Sequence, residues 1–251
     1  MDRSYLSNKD VIEASRDFVC IRLATYENVA EAKVLKSIFT GRSGELENTT
    51  FVLLAPDGKR RLSRAGRSPR HAFNDVEDMA SSMHRVAGRY KQRSAKAKAT
   101  LPVMETFRLS LNVAACDSLP NVVVIGDKKA RAGIEKKLAP LAWHKDLQGQ
   151  FVFGRAETRK ELEAVEGLPK KAAVAVIQPD RFGLKGKVLA HVSANASVKD
   201  LEKALREGLA KHQAYSKETR RHRSQGRRTG AKWETKIPVT DPGRSPRRGG
   251  R

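Results

Sequence analysis

Cysteine is the residue type here best suited to nucleophilic or redox chemistry, and the chain has two, Cys20 and Cys116, in 251 residues. A thiol attacks as its thiolate, which forms where a helix N-terminus or a nearby cation stabilises negative charge. Cys20 lies within Phe18-Val-Cys-Ile, an apolar run in which cysteine reads as a small buried hydrophobe. Cys116 lies in Ala114-Ala-Cys-Asp-Ser-Leu-Pro, read as a loop before a strand, and the adjacent Asp117 opposes thiolate formation. The two are far apart in sequence and no Cys-x-x-Cys occurs, so neither a local redox pair nor a disulfide framework is expected. No catalytic residue is assigned; Cys116 and Cys20 stand as residual candidates for chemistry by a single thiol.

The other chemistry-bearing residues form no complete set. The histidines are His71, His84, His144, His191, His212 and His222. None makes His-x-x-x-His or stands at ligand spacing from a cysteine, so no metal and no cofactor is expected. Gly126-Asp-Lys-Lys follows an apolar run but lacks the Gly-rich pattern of a nucleotide loop. Lys128 and Lys129 read there as solvated lysines, or as anion ligands at a helix start. No Gly-x-Ser-x-Gly and no acid/base pair stands out.

Positive charge is the strongest functional signal. The formal net charge is +22, which attracts polyanions: nucleic acid, anionic lipid surfaces or acidic proteins. After residue 213 there are twelve Lys and Arg against three acids, Glu218, Glu234 and Asp241. Arg220, Arg221, Arg223, Arg227, Arg228, Arg244, Arg247 and Arg248 are therefore the candidate polyanion-binding residues, since cations that neutralise phosphates release counterions. Arg85, Arg89, Lys91, Arg93, Lys96 and Lys98 form a second basic cluster. The 213–251 tail has almost no core-forming residue and is expected to be disordered when free. Within it, the stretch from Trp233 to Val239 reads either as more tail or as a segment that docks on the second domain or a partner.

The elements that would position these residues are those of an α/β protein. In the first half, 8–17 and 28–39 read as helices, Phe18–Ala24 and Thr50–Ala55 as buried strands, 60–65 as a returning strand and 73–90 as a helix. Pro56-Asp-Gly-Lys makes the tight turn between the latter two strands. In the second half, strands are expected at 121–125, 150–153, 172–177 and 187–192. Helices are expected at 128–143, broken or shortened by Pro140, at 158–166, and from the Ser197 cap onward. No run of about 18 apolar residues suggests a membrane span, and no secretory signal is read at the start, so a soluble, cytoplasmic protein is expected.

The second half thus runs β-α-β-α-β-β-α, and the first repeats the later part of that order. Phe51-Val-Leu-Leu-Ala-Pro-Asp-Gly-Lys is similar to the penultimate hairpin of thioredoxin-like proteins, and Ala175-Val-Ile-Gln-Pro-Asp echoes it. The chain resembles two thioredoxin-like domains in tandem, at 1–95 (N-terminally truncated) and 102–212, joined by a basic linker at 96–101 and followed by the 213–251 tail. The resemblance implies thiol–disulfide exchange only where a Cys-x-x-Cys heads the central helix. Here that junction reads Gly126-Asp-Lys-Lys in the second domain and Thr25-Tyr-Glu-Asn in the first. The expectation is a redox-inactive binding or scaffolding protein whose tail contacts an acidic protein or nucleic acid. Two alternatives stay open: a divergent oxidoreductase using one cysteine, and nonspecific nucleic-acid binding through the tail.

Overall fold

A computed structural model describes residues 5–41, 44–90, 100–215, 218–232 and 234–240. The chain forms two units, Met1–Ser94 with Trp233–Arg251, and Ala95–Lys232. It is mixed α/β, with seven α-helices and one six-stranded sheet among the described residues. None of these helices is long and apolar enough to cross a membrane.

The first unit holds α1 (Lys9–Ser15), α2 (Val29–Ile38) and α3 (Val76–Ala87). Each starts on a side chain that accepts from its first-turn N–H groups: Asn8, Asn28 and Asp75. α1 packs on α3, and Tyr5, Val11, Ala14, Leu53, Phe73, Met79 and Met83 form their shared core. A smaller cluster gathers Tyr26, Ala32, Leu35 and Leu46, with Ile237 from the far end of the chain packed against it.

The expected strands of this unit are not regular. Segments 51–55 and 60–66 meet as a ragged antiparallel pair through two isolated bridges, Phe51 to Gly66 and Leu54 to Arg61. The turn between them is as expected: Gly58 has φ +68°, and Asp57 accepts from the backbone of Lys59 (2.7 Å) and Arg60 (2.9 Å). Phe18–Ala24 is not a strand, and Val19 and Ile21 are 83% and 73% exposed. Among the described residues of this unit no regular strand pairs its backbone, so apolar composition alone does not fold it into a sheet. Cys20 is exposed rather than buried as a consequence.

The second unit is built on one sheet. Its strands are β1 (Val103–Met104), β2 (Asn121–Ile125), β3 (Val152–Ala156), β4 (Val165–Glu166), β5 (Ala172–Pro179) and β6 (Gly186–Ser193). Their spatial order is β1-β3-β2-β5-β6-β4. β1 and β2 run parallel to β3, β4 runs parallel to β6, and β5 is antiparallel to both neighbours. Helices α4 (Phe107–Asp117), α5 (Lys128–Ala142) and α6 (Val198–Lys211) cover it, and α7 (Thr219–Arg228) follows.

The near-continuous apolar runs of β2 and β5 follow from burial on both faces. Val122, Val124, Val174 and Val176 point to one core with Ile134 and Leu138 of α5 and Leu201 and Leu205 of α6. Val123, Ile125, Ala175 and Ile177 point to the other, with Phe107 and Leu111 of α4. Arg155 of β3 grips Glu135 of α5 through two hydrogen bonds of 2.7 Å, tying helix to sheet.

Three local expectations change here. Residues 158–166 are a single 3-10 turn, Arg159–Leu162, followed by β4. The spacing of Leu162, Val165 and Leu168 mimics a helix, but Val165 leaves the turn to pair with Gly186. α5 runs unbroken through Pro140, whose missing N–H falls in the last turn of the helix. The stretch read as a loop around Cys116 is the last turn of α4, closed by Ser118 in the left-handed conformation.

Candidate polyanion-binding surface

The surface begins at the end of α6, where the chain crosses the unit in a fixed path. His212 Nε2 lies 2.9 Å from the Ser118 carbonyl, and Gln213 N donates to Gln178 Oε1 at 2.9 Å. Tyr215 N donates to Ser118 Oγ at 2.8 Å, and its hydroxyl lies 3.1 Å from the carbonyls of both Ala115 and Asp180. Half-burial, reinforced by the Asp180 carboxylate and the nearby Cys116, pushes the phenol up to about 12. The Arg181 guanidinium lies 5.8 Å from the ring centroid.

This strap delivers α7 to the turn between β5 and β6. Phe182 of that turn stacks on the His222 imidazole, with ring centroids 4.7 Å apart and planes 20° from parallel. One helical turn later Gly226 is buried against the same ring, and a Cβ there would stand 3.1 Å from Phe182 Cε1. His222 and Gly226 thus form the face of α7 that docks.

The arginines take the opposite face. At about 100° per residue, positions 220, 221, 223, 227 and 228 fall within about 160° of arc, centred away from 222 and 226. Arg221, Arg223, Arg227 and Arg228 are exposed. Among the described residues no carboxylate pairs with these four, whereas on α6 Arg206 pairs with Glu202 (2.8 Å) and Lys211 with Glu207 (2.6 Å). Arg181 and Lys185 are exposed on the turn that carries Phe182.

The structure therefore brings five of the eight sequence-designated arginines onto one short helix where composition suggested a tail without structure. Arg244, Arg247 and Arg248 lie outside the described residues. Sequence reasoning missed Phe182, Gly226 and Tyr215, which hold the helix in place. The available signal was a histidine and a glycine four residues apart in an arginine run, and an aromatic residue in a turn between two strands.

The thiols do not join this surface into a redox site. Both cysteines are free and exposed, and they belong to different units. Cys116 sits at the C-terminal end of α4, its Sγ 4.0 Å from Asn112 Oδ1. At the head of α5, Asp127 accepts from Ala130 N at 2.8 Å, and the buried Arg131 donates to the Gly126 carbonyl at 2.6 Å and faces Glu157 at 3.5 Å. Among the described residues no group of three or more His, Cys, Asp or Glu is placed to hold a metal ion. No family model, no curated protein and no solved structure matches the chain.

Proposed function

We propose that the chain is a redox-inactive binding protein of thioredoxin-like architecture that captures a polyanion on the arginine face of α7. From β2 onward, with the two-residue β4 set aside, the second unit runs strand, helix α5, strand, the 3-10 turn Arg159–Leu162 in place of a second helix, then β5, β6 and α6, and its last two strands are antiparallel. That order supports the thioredoxin-like reading. For the first unit the reading rests on the Phe51–Lys59 segment and its hairpin turn. The partner is an acidic protein or a nucleic acid.

One observation carries the binding half: Phe182 stacks on His222 and so aims a row of unneutralised arginines outward. Like charges this close repel, and a helix that retains them without carboxylate partners is one whose counter-charges come from a ligand. The test is titration of the full chain with heparin at several salt concentrations. Affinity falls steeply with salt, and is lost when Arg221, Arg223, Arg227 and Arg228 are all replaced by Gln. A shallow salt slope, or unchanged affinity in the fourfold variant, overturns the reading.

The exposure of Cys20 and Cys116 favours a second reading, thiol chemistry by a single cysteine. Reduction of insulin by the wild-type chain, abolished by Cys20→Ser with Cys116→Ser, would establish it.

A further inference from the structure

We infer that the polyanion is the phosphate backbone of duplex nucleic acid; this rests on the polyanion reading above and names its ligand. The choice comes from what the outward face of α7 contains and what it lacks. Its cations are arginine alone. α5 has four lysines and one arginine, and α6 three lysines and one arginine, but α7 has five arginines and no lysine. Arginine offers a planar fork of donors that fits phosphate oxygens in pairs, where lysine offers a point charge.

The other polyanions need features that α7 does not have. A helix lying on an anionic membrane buries an apolar face among the acyl chains. The sequence of α7, Thr-Arg-Arg-His-Arg-Ser-Gln-Gly-Arg-Arg, has no large apolar side chain to bury. A protein interface is built around an apolar core depleted in charge, with charge at its rim; here the exposed face carries Arg221, Arg223, Arg227 and Arg228 with Ser224 and no apolar side chain. Single-stranded nucleic acid is held by aromatic platforms on which bases stack. The one ring on α7, His222, is already stacked on Phe182 on the inner side. What remains is contact with phosphates and no bases. Nucleic-acid interfaces are more polar and far more positively charged than protein–protein ones, and a basic helix of about 15 Å fits along a duplex carrying one charge per roughly 1.7 Å of axis.

Binding of this kind is independent of sequence and follows counterion release. Four to five neutralised phosphates give a slope of log affinity against log salt of about −4. Each Arg→Gln substitution on α7 lowers the magnitude of that slope by about 0.9. Phe182→Ala acts differently: it releases the helix but keeps its charges, so affinity drops several-fold while the slope is retained.

The experiment measures fluorescence anisotropy of the full chain with a 20-base-pair DNA duplex, an RNA duplex of the same sequence, and the single DNA strand. Polyglutamate and phosphatidylserine vesicles are the competitors. The expected result is that a duplex binds at least tenfold more tightly than the single strand, and that polyglutamate and vesicles displace it poorly. The two duplexes decide which nucleic acid is preferred, and tight binding of either supports the inference. Circular dichroism of the fourfold Gln variant and of Phe182→Ala confirms that the rest of the fold is kept. If polyglutamate, vesicles or the single strand bind as tightly as the duplexes, the duplex assignment falls and the polyanion reading survives. If nothing anionic binds, both fall.

Discussion

Tyr215 shows how one side chain ties the strap before α7 to the sheet. Its phenol is half-buried against the carbonyls of Ala115 and Asp180, and its pKa is pushed up to about 12. The folded state therefore keeps this proton at pH values where the unfolded chain gives it up, so its contribution is complete below about pH 10 and is lost as pH rises through 12. Tyrosinate absorbance should show one of the four tyrosines titrating late. Tyr215→Phe should remove that late step. Gly208 gives a second test at this scale. A Cβ at this position of α6 would lie 2.4 Å from Val176 Cγ1 in the core. Gly208→Ala should thus lower stability by roughly 1–3 kcal/mol, despite a gain of about 1 kcal/mol in helix propensity; a urea midpoint that rises instead would refute the packing argument. Residue identities alone revealed the missing thiol pair and the candidate arginines, because those depend on type and spacing. They did not reveal that Cys20 is exposed, because its burial depended on neighbouring strands that do not form.

At the scale of elements, α6 and α7 differ in how they are held. α6 begins with a reciprocal cap: Ser197 Oγ accepts from Asp200 N at 3.2 Å, and Asp200 accepts from Ser197 N at 2.9 Å. The hydrogen bonds from Ser197 hold the Asp200 carboxyl below its ordinary range. That contribution is present above the ordinary carboxylate pKa and is lost as pH falls through the lowered value. Ser197→Ala should cost about 1 kcal/mol, read as a lower thermal midpoint at neutral pH and a smaller difference in acid. This cap was legible, since Ser-x-x-Asp ahead of an apolar period is a local signal. β2 and β5 were legible too, because short apolar runs suit strands covered on both faces. The same reasoning misread Phe18–Ala24, where an identical pattern has no sheet to enter. α7 was illegible for the opposite reason: its periodicity is written in arginines, and its docking face is one histidine and one glycine.

For the molecule as a whole, charge and connectivity are separable. The net charge of +22 was plain in the composition, but the seating of five arginines on one docked helix depends on a turn forty residues upstream. The first unit also depends on distant sequence. Ile237 N donates to the Tyr26 carbonyl at 2.9 Å, Thr240 Oγ1 donates to the Leu46 carbonyl at 2.6 Å, and Ile237 packs on the Leu35 cluster. Truncation after Lys232 should therefore lower the thermal midpoint of the first unit while α7 keeps its seat on Phe182. Hydrogen exchange would read this as lost protection around Tyr26 and Leu46, with 219–228 unchanged; equal loss in both regions would contradict the division into units.

The return of residues 237 and 240 to the first unit has a further consequence during synthesis. The ribosome releases the 5–90 region long before the strand of chain that completes it, so the usual order, N-terminal part first, is reversed here. The sheet-bearing unit is whole once Lys232 has emerged, whereas its predecessor waits, with Leu35 and Leu46 incompletely covered, until Ile237 and Thr240 follow. A translational pause between the codons for Lys232 and Ile237 would prolong that vulnerable interval, and a protease present then would cut the early unit in preference to the later one.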